Sequence, residues 1–172
     1  MENKVLARWN SLDPVAAARE VLPCCGSEAW AVALASKRPI SNEACLIEAS
    51  SSIWRTLPER DWQEAFNSHP RIGQSHAQTH VTAESLHWSA QEQRTALSSN
   101  DATKLALEEA NRGYELKFGR IFIICATGKT SSEILTILEA RMKNDASTEL
   151  HEAAEQQRQI TQLRLHRWLE SE

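Results

Sequence analysis

The stretch DATKLALEEANRGYELKFGRIFIICA, residues 101–126, separates the possible fold classes. Leu107, Ala110, Tyr114 and Phe118 recur near the 3.6-residue period of an amphipathic helix, which predicts a helix from Asp101 through Phe118. Six consecutive apolar residues, Ile121 to Ala126, then break that period. The run is short and crowded with side chains stiff at χ1, so it predicts an extended, buried segment over about residues 120–126. Every other patterned stretch reads as helix, so the expected fold is all-α: a single-domain helical bundle, residues 1–172, crossed by one extended connector.

Composition agrees. At ~100–200 residues per domain, 172 residues make one domain with room for a real core. Glycine and proline total 10 residues, about half the ~12% of an average chain, and few turns favour long helices over a sandwich or barrel. One Tyr and 3 Phe argue against a strand-rich fold as well. A net charge of −4 gives no basic footprint for nucleic acid. No apolar run approaches the ~18 residues of a membrane span, and residues 1–9 lack the basic and apolar regions of a signal peptide. Cys24, Cys25, Cys45 and Cys125 form no CxxC pair and are expected to be structural thiols in a reducing cytoplasm.

Working outward, Asp13-Pro14 is a helix start, Asp as N-cap and Pro in the first turn, and the helix should run to about Leu22 before Pro23 and Gly26 break it. Ser27-Glu28 starts another that ends before Pro39. A third begins at Ser41 to Ala44 and carries Leu46, Ile47, Ile53, Trp54 and Leu57. Pro58 opens a short fourth with Trp62 and Phe66 on one face. Residues 68–88 are irregular and longer than an ordinary connection, as functional loops often are. Helical pattern resumes at Ser89, Ser131 is expected to cap a helix containing Ile134, Leu135, Ile137, Leu138 and Met142, and a final helix covers about 147–169.

Several residues could carry chemistry. Pro70 forces His69 out of helical conformation, which sets a group that titrates near neutrality at a helix-to-loop junction. The same dipeptide also fits a plain surface histidine. Ser89-Ala90-Gln91-Glu92 reads as a capping box, with Ser89 bonding the amide three residues on; such a helix start also offers amides to a substrate carboxylate. Arg164 falls in the middle of the apolar stripe formed by Leu150, Ala153, Ile160 and Trp168, so it must snorkel, pair or bind something anionic. His69, His76, His80 and His87 fall within 19 positions and suggest a zinc site, though no Cys lies near and no zincin Glu follows His76. Cys125, inside the apolar run, is expected to be inert packing rather than a nucleophile.

Taken in order, His69-Pro70-Arg71-Ile72-Gly73, Ser89-x-x-Glu92-Gln93, Asn111-x-x-Tyr114-x-x-x-Phe118-Gly119 and a tail with Asn144, Glu149, Ala153, Glu155, Ile160 and Arg164-Leu165 resemble the 2-oxo-4-hydroxy-4-carboxy-5-ureidoimidazoline (OHCU) decarboxylase family of purine catabolism. Pro23 to Ser27, Trp30 and Arg38-Pro39 resemble its bacterial members, and the likeness spans about residues 12–166. The resemblance implies an all-helical, cofactor-free cytoplasmic enzyme, often a homodimer, that binds no metal and converts OHCU to (S)-allantoin and CO₂. It makes His69 the catalytic proton donor, with Glu92 orienting it or the substrate. Pro70, Ser89, Ala90, Gln91, Glu92, Gln93, Phe122, Ile123, Ile124, Cys125, Ala126 and Arg164 match its substrate-binding positions. Two departures stand out: Arg120 replaces a usual Phe, and the spacing from His69 to Glu92 is longer than in animal members. The electron sink lies in the substrate's own ring, so no pyridoxal, thiamine or metal is called for. Two other classes fit the residues less fully, a metal-dependent hydrolase on the loop histidines and a non-catalytic helical partner-binding module.

Overall fold

A computed structural model describes residues 3–74, 81–97 and 100–171. The described residues form ten helices: α1 (Lys4–Ser11), α2 (Pro14–Cys25), α3 (Glu28–Ala35), α4 (Glu43–Thr56), α5 (Glu59–Asn67), α6 (Ala83–Glu92), α7 (Arg94–Leu97), α8 (Asp101–Phe118), α9 (Ser131–Arg141) and α10 (Ala146–Glu170). The fold is all-α, and no described helix is long and apolar enough to cross a membrane. The chain divides into two compact units, Met1–Ala65 with Arg158–Glu172, and Phe66–Gln157. Helix α10 contributes its first half to the second unit and its second half to the first.

In the first unit, helix starts follow the side chains that can satisfy orphan amides. Asp13 accepts from the amides of Val15 and Ala16, Ser27 from Trp30 and Asn42 from Cys45. Helix α1 was not foreseen, although Asn3 caps it and Val5, Leu6 and Trp9 bury one face. Helix α2 continues past Leu22 to Cys25, with Pro23 inside its last turn. Proline at position 23 withdraws a donor from Arg19, which is exposed, so the loss falls where solvent can compensate. The true stop is Gly26, left-handed at φ 88, whose amide closes on the Leu22 carbonyl. Trp9 anchors the unit. Its indole donates to the Ala17 carbonyl at 2.9 Å, and Arg38 lies 5.2 Å over its ring while donating to the carbonyls of Trp9 and Leu12.

The second unit is built around the connector. Ile121 to Ala126 are in no helix, and all six are buried. Phe122, Ile124 and Ala126 join Leu107, Tyr114, Ile134 and Leu138 in one apolar cluster. An extended buried segment must find partners for its backbone, and here side chains supply several of them. Arg141 donates to the Ile123 carbonyl at 2.7 Å, the Cys125 amide donates to Gln156 at 2.9 Å, and Lys129 donates to the Cys125 carbonyl at 2.8 Å.

Arg141 is itself held by Glu149, which is fully buried and also receives the Tyr114 hydroxyl and the Asn144 amide. The guanidinium stacks 4.5 Å from the Phe122 ring. Burial and the Glu149 carboxylate together push the Tyr114 hydroxyl above its ordinary range. Helix α9 starts one residue earlier than foreseen. Thr130, not Ser131, is its N-cap, in a reciprocal box with Glu133, because Ser131 is buried and spends its hydroxyl on the Ala96 carbonyl.

Candidate active site

His69 follows the last turn of α5, its amide bonded to the Phe66 carbonyl, and it is 7% exposed. The surface-histidine alternative is therefore excluded. Its Nε2 lies 2.7 Å from Oε1 of Gln157, a side chain of α10 with no exposure at all. Pro70 is buried beside it. The loop that follows is pinned twice. Arg71 makes a two-pronged ion pair with Glu115 of α8, at 2.6 and 3.0 Å, and the Gly73 amide donates to Gln93 Oε1 at 2.9 Å. Gly73 takes φ +85, a left-handed turn that suits a residue without a side chain.

Helix α6 differs from the sequence reading. Thr82 is its N-cap, accepting from the Ser85 amide, and Ser89 lies seven residues further on, inside the helix. The expected capping box and amide-rich anion site at Ser89 are therefore absent. The Gln93 amide, for example, is bonded to the Ser89 carbonyl. The Ser-x-x-Glu pattern misled because the real buried face of α6 is mostly polar: Ser85, Trp88, Ser89 and Glu92, followed by Gln93 at the C-cap. A hydroxyl and a carboxylate buried at i and i+3 make a polar lining, not a cap. Ala90 and Gln91 point to the opposite, exposed side.

Three glutamine amides thus gather the expected residues of this unit. Gln93 ties α6 to the loop after His69, while adjacent Gln156 and Gln157 on α10 hold Cys125 and His69. The Cys125 amide is consequently spent on Gln156. A neighbouring cavity of about 150 Å³, lined in part by Ile72, Gly73, Leu107 and Ser131, touches neither His69 nor Glu92.

Arg164 belongs to the other unit and has no exposure, so it does not snorkel. It donates to the Pro23 carbonyl at 3.3 Å, one of the orphan acceptors at the negative end of α2. Its charge also reaches the buried thiol of Cys25. No disulfide forms among the four cysteines; Cys24, Cys25 and Cys125 are buried and Cys45 is exposed. Of the loop histidines, His76 and His80 lie outside the described residues, and His87 is exposed on α6.

Gln156 and Gln157 were missed by sequence reasoning, yet for Gln157 a signal existed. Glu149, Ala153, Gln157, Ile160, Arg164 and Trp168 are all buried along one side of α10. A polar residue on that stripe at 157 is as informative as the arginine at 164.

The described residues form helices joined by one extended connector, an all-α protein, and its second unit buries His69 against Gln157 together with the polar side chains of Ser89, Glu92 and Gln93 as a candidate site. The OHCU decarboxylase family model matches residues 10–166, and the chain belongs to that family. It is 36% identical over 143 residues to a uric acid degradation bifunctional protein of Arabidopsis thaliana, covering 83% of this chain but only 44% of that longer relative. The 2-oxo-4-hydroxy-4-carboxy-5-ureidoimidazoline decarboxylase of Amia calva is 32% identical, with 78% of this chain and 77% of that one covered. Among solved structures, an OHCU decarboxylase crystallised in the presence of (S)-allantoin superposes with a TM-score of 0.77 at 34% identity, over 88% of this chain and 98% of that one.

Proposed function

We propose that this chain decarboxylates OHCU to (S)-allantoin and CO₂ in urate degradation, without a cofactor. The observation that carries the proposal is a His69 buried against Gln157, in a chain that covers nearly all of the OHCU decarboxylase crystallised with (S)-allantoin. Loss of CO₂ leaves an electron pair that the substrate's ring and its oxygens delocalise, after which one proton must arrive on one face. His69 first engages the hydroxyl or carboxylate of the substrate and later supplies that proton. Glu92 orients the imidazole or the substrate, and Pro70, Ser89 and Gln93 line the same unit. Ala90, Gln91 and the Phe122–Ala126 segment enter through the resemblance. Any donor to developing charge in that segment is an amide other than that of Cys125. Arg164, assigned to substrate oxygens, also enters through the resemblance alone.

Residues 1–172 are read as one functional domain, since the family match runs through both units. We assign the protein to the cytoplasm, in keeping with cysteines that form no disulfide. A homodimer is proposed on the resemblance, with Leu105 and Leu116, exposed on one side of α8, as apolar surface available to a second copy. Sedimentation as a monomer at micromolar concentration would remove the dimer.

The test of function generates OHCU in place from urate, with urate oxidase and hydroxyisourate hydrolase. Absorbance then follows substrate loss and circular dichroism follows product handedness. Accelerated decay with a growing (S)-allantoin signal is expected, and His69→Asn should return the decay to the spontaneous rate with helicity unchanged. Racemic product at the spontaneous rate from the unaltered protein would sink the proposal.

A further inference from the structure

We infer that Gln157 is a positioning residue that fixes the tautomer of His69, and that Nδ1, not Nε2, is the ring nitrogen that exchanges the proton. The inference rests on the decarboxylase reading for its chemical meaning, and on this chain's geometry for its substance. An amide oxygen can only accept a hydrogen bond, so the 2.7 Å contact between Gln157 Oε1 and Nε2 puts the hydrogen on Nε2. In a neutral imidazole the lone pair then sits on Nδ1. Which nitrogen of a histidine is basic is set by the hydrogen bond the other one makes.

The surroundings make this choice firm. Gln157 has no exposure and His69 is 7% exposed, so water competes poorly for either group. Rotating the imidazole away would break this buried hydrogen bond where water cannot readily replace it. Gln157 is also held on a continuous helix of 25 residues, whose neighbouring Gln156 is engaged with the connector at Cys125. In the protonated state both ring nitrogens carry hydrogen. Delivery from Nδ1 to the substrate's carbon breaks the Nδ1–H bond, forms the C–H bond, and returns a neutral ring that retains its Nε2–H on Gln157. The ring therefore starts and ends each cycle in the same orientation.

The test reads the tautomer directly and needs no substrate, so it stands apart from the question of activity. Protein carrying ¹⁵N in its histidine rings is compared as wild type, Gln157→Met and Gln157→Glu, with His69 assigned by the signals lost in His69→Asn. The wild type should show a protonated Nε2 and a lone-pair Nδ1. Gln157→Met, close in shape but lacking a strong acceptor, should mix the two tautomers. Gln157→Glu keeps an acceptor oxygen and should keep hydrogen on Nε2. In turnover, Gln157→Met should lower kcat by about 10–100-fold, the size of loss that follows removal of a partner orienting a metal-bound histidine, with KM within about twofold. Gln157→Glu should recover much of that loss. A wild-type spectrum with the lone pair on Nε2 would overturn the inference. So would a Gln157→Met protein whose tautomer and kcat match the wild type.

Discussion

Cys25 and Cys45 carry the same thiol in opposite settings. Burial pushes Cys25 up to about 12 from an ordinary 9, against smaller opposing contributions from Thr161 and the Arg164 charge. Cys45 is exposed. Ellman's reagent at pH 8 should therefore titrate about one thiol per native chain and all four in denaturant. The same shift acts on stability. The folded state keeps its proton while the unfolded state loses it from about pH 9, so stability is complete below pH 9 and declines towards pH 12. Cys25→Ala should flatten that alkaline decline, as measured by urea midpoints across pH. Arg164 makes a second prediction at this scale. Lysine offers one compact ammonium in place of a planar fork, so Arg164→Lys should cut kcat/KM at least about tenfold, and an unchanged value would remove Arg164 from the proposed site.

Helix boundaries show what the sequence could and could not tell. Asp13 and Ser27 were readable as starts because each side chain accepts from an amide of the helix it opens, and the third start, read at Ser41 to Ala44, falls on Asn42 as its cap. Ser89 and Ser131 were misread because each is buried, one inside α6 and the other bonded to Ala96, and a tertiary environment cannot be seen from local spacing. The connector was legible for the opposite reason. Six apolar residues without a helical period leave little choice of burial. Of the candidate residues, His69 and Glu92 stood out by type, whereas Gln157 sat unremarked on a stripe judged only for its apolar members, and Gln156, half-buried beside it, gave no such signal. Thr130→Ala tests the cap that replaced Ser131. It should cost about 1 kcal/mol in urea unfolding by removing the hydroxyl arm of the box, while Glu133 keeps its bond from the backbone amide of residue 130.

Across the molecule, two ion pairs of similar geometry should differ widely in worth. Arg71 and Glu115 are partly exposed, and breaking them with Arg71→Met should cost less than about 1 kcal/mol. Arg141 and Glu149 are buried, so Arg141→Met strands a carboxylate and the Ile123 carbonyl together and should cost about 3–5 kcal/mol. Comparing the two urea midpoints separates them. The loss of Arg141 bears on how the protein fails as well as how it folds. Residues 121–126 form an uncharged hexapeptide rich in isoleucine with no proline or glycine, the composition of an amyloid-forming segment. In the native state, burial and side-chain hydrogen bonds from Arg141 and Lys129 keep its backbone from pairing with another chain. Once those bonds open, Arg120 and Lys129 remain as flanking charges to oppose stacking. Heating should then end in thioflavin-positive fibrils instead of recoverable protein, seeded by a peptide of residues 120–127.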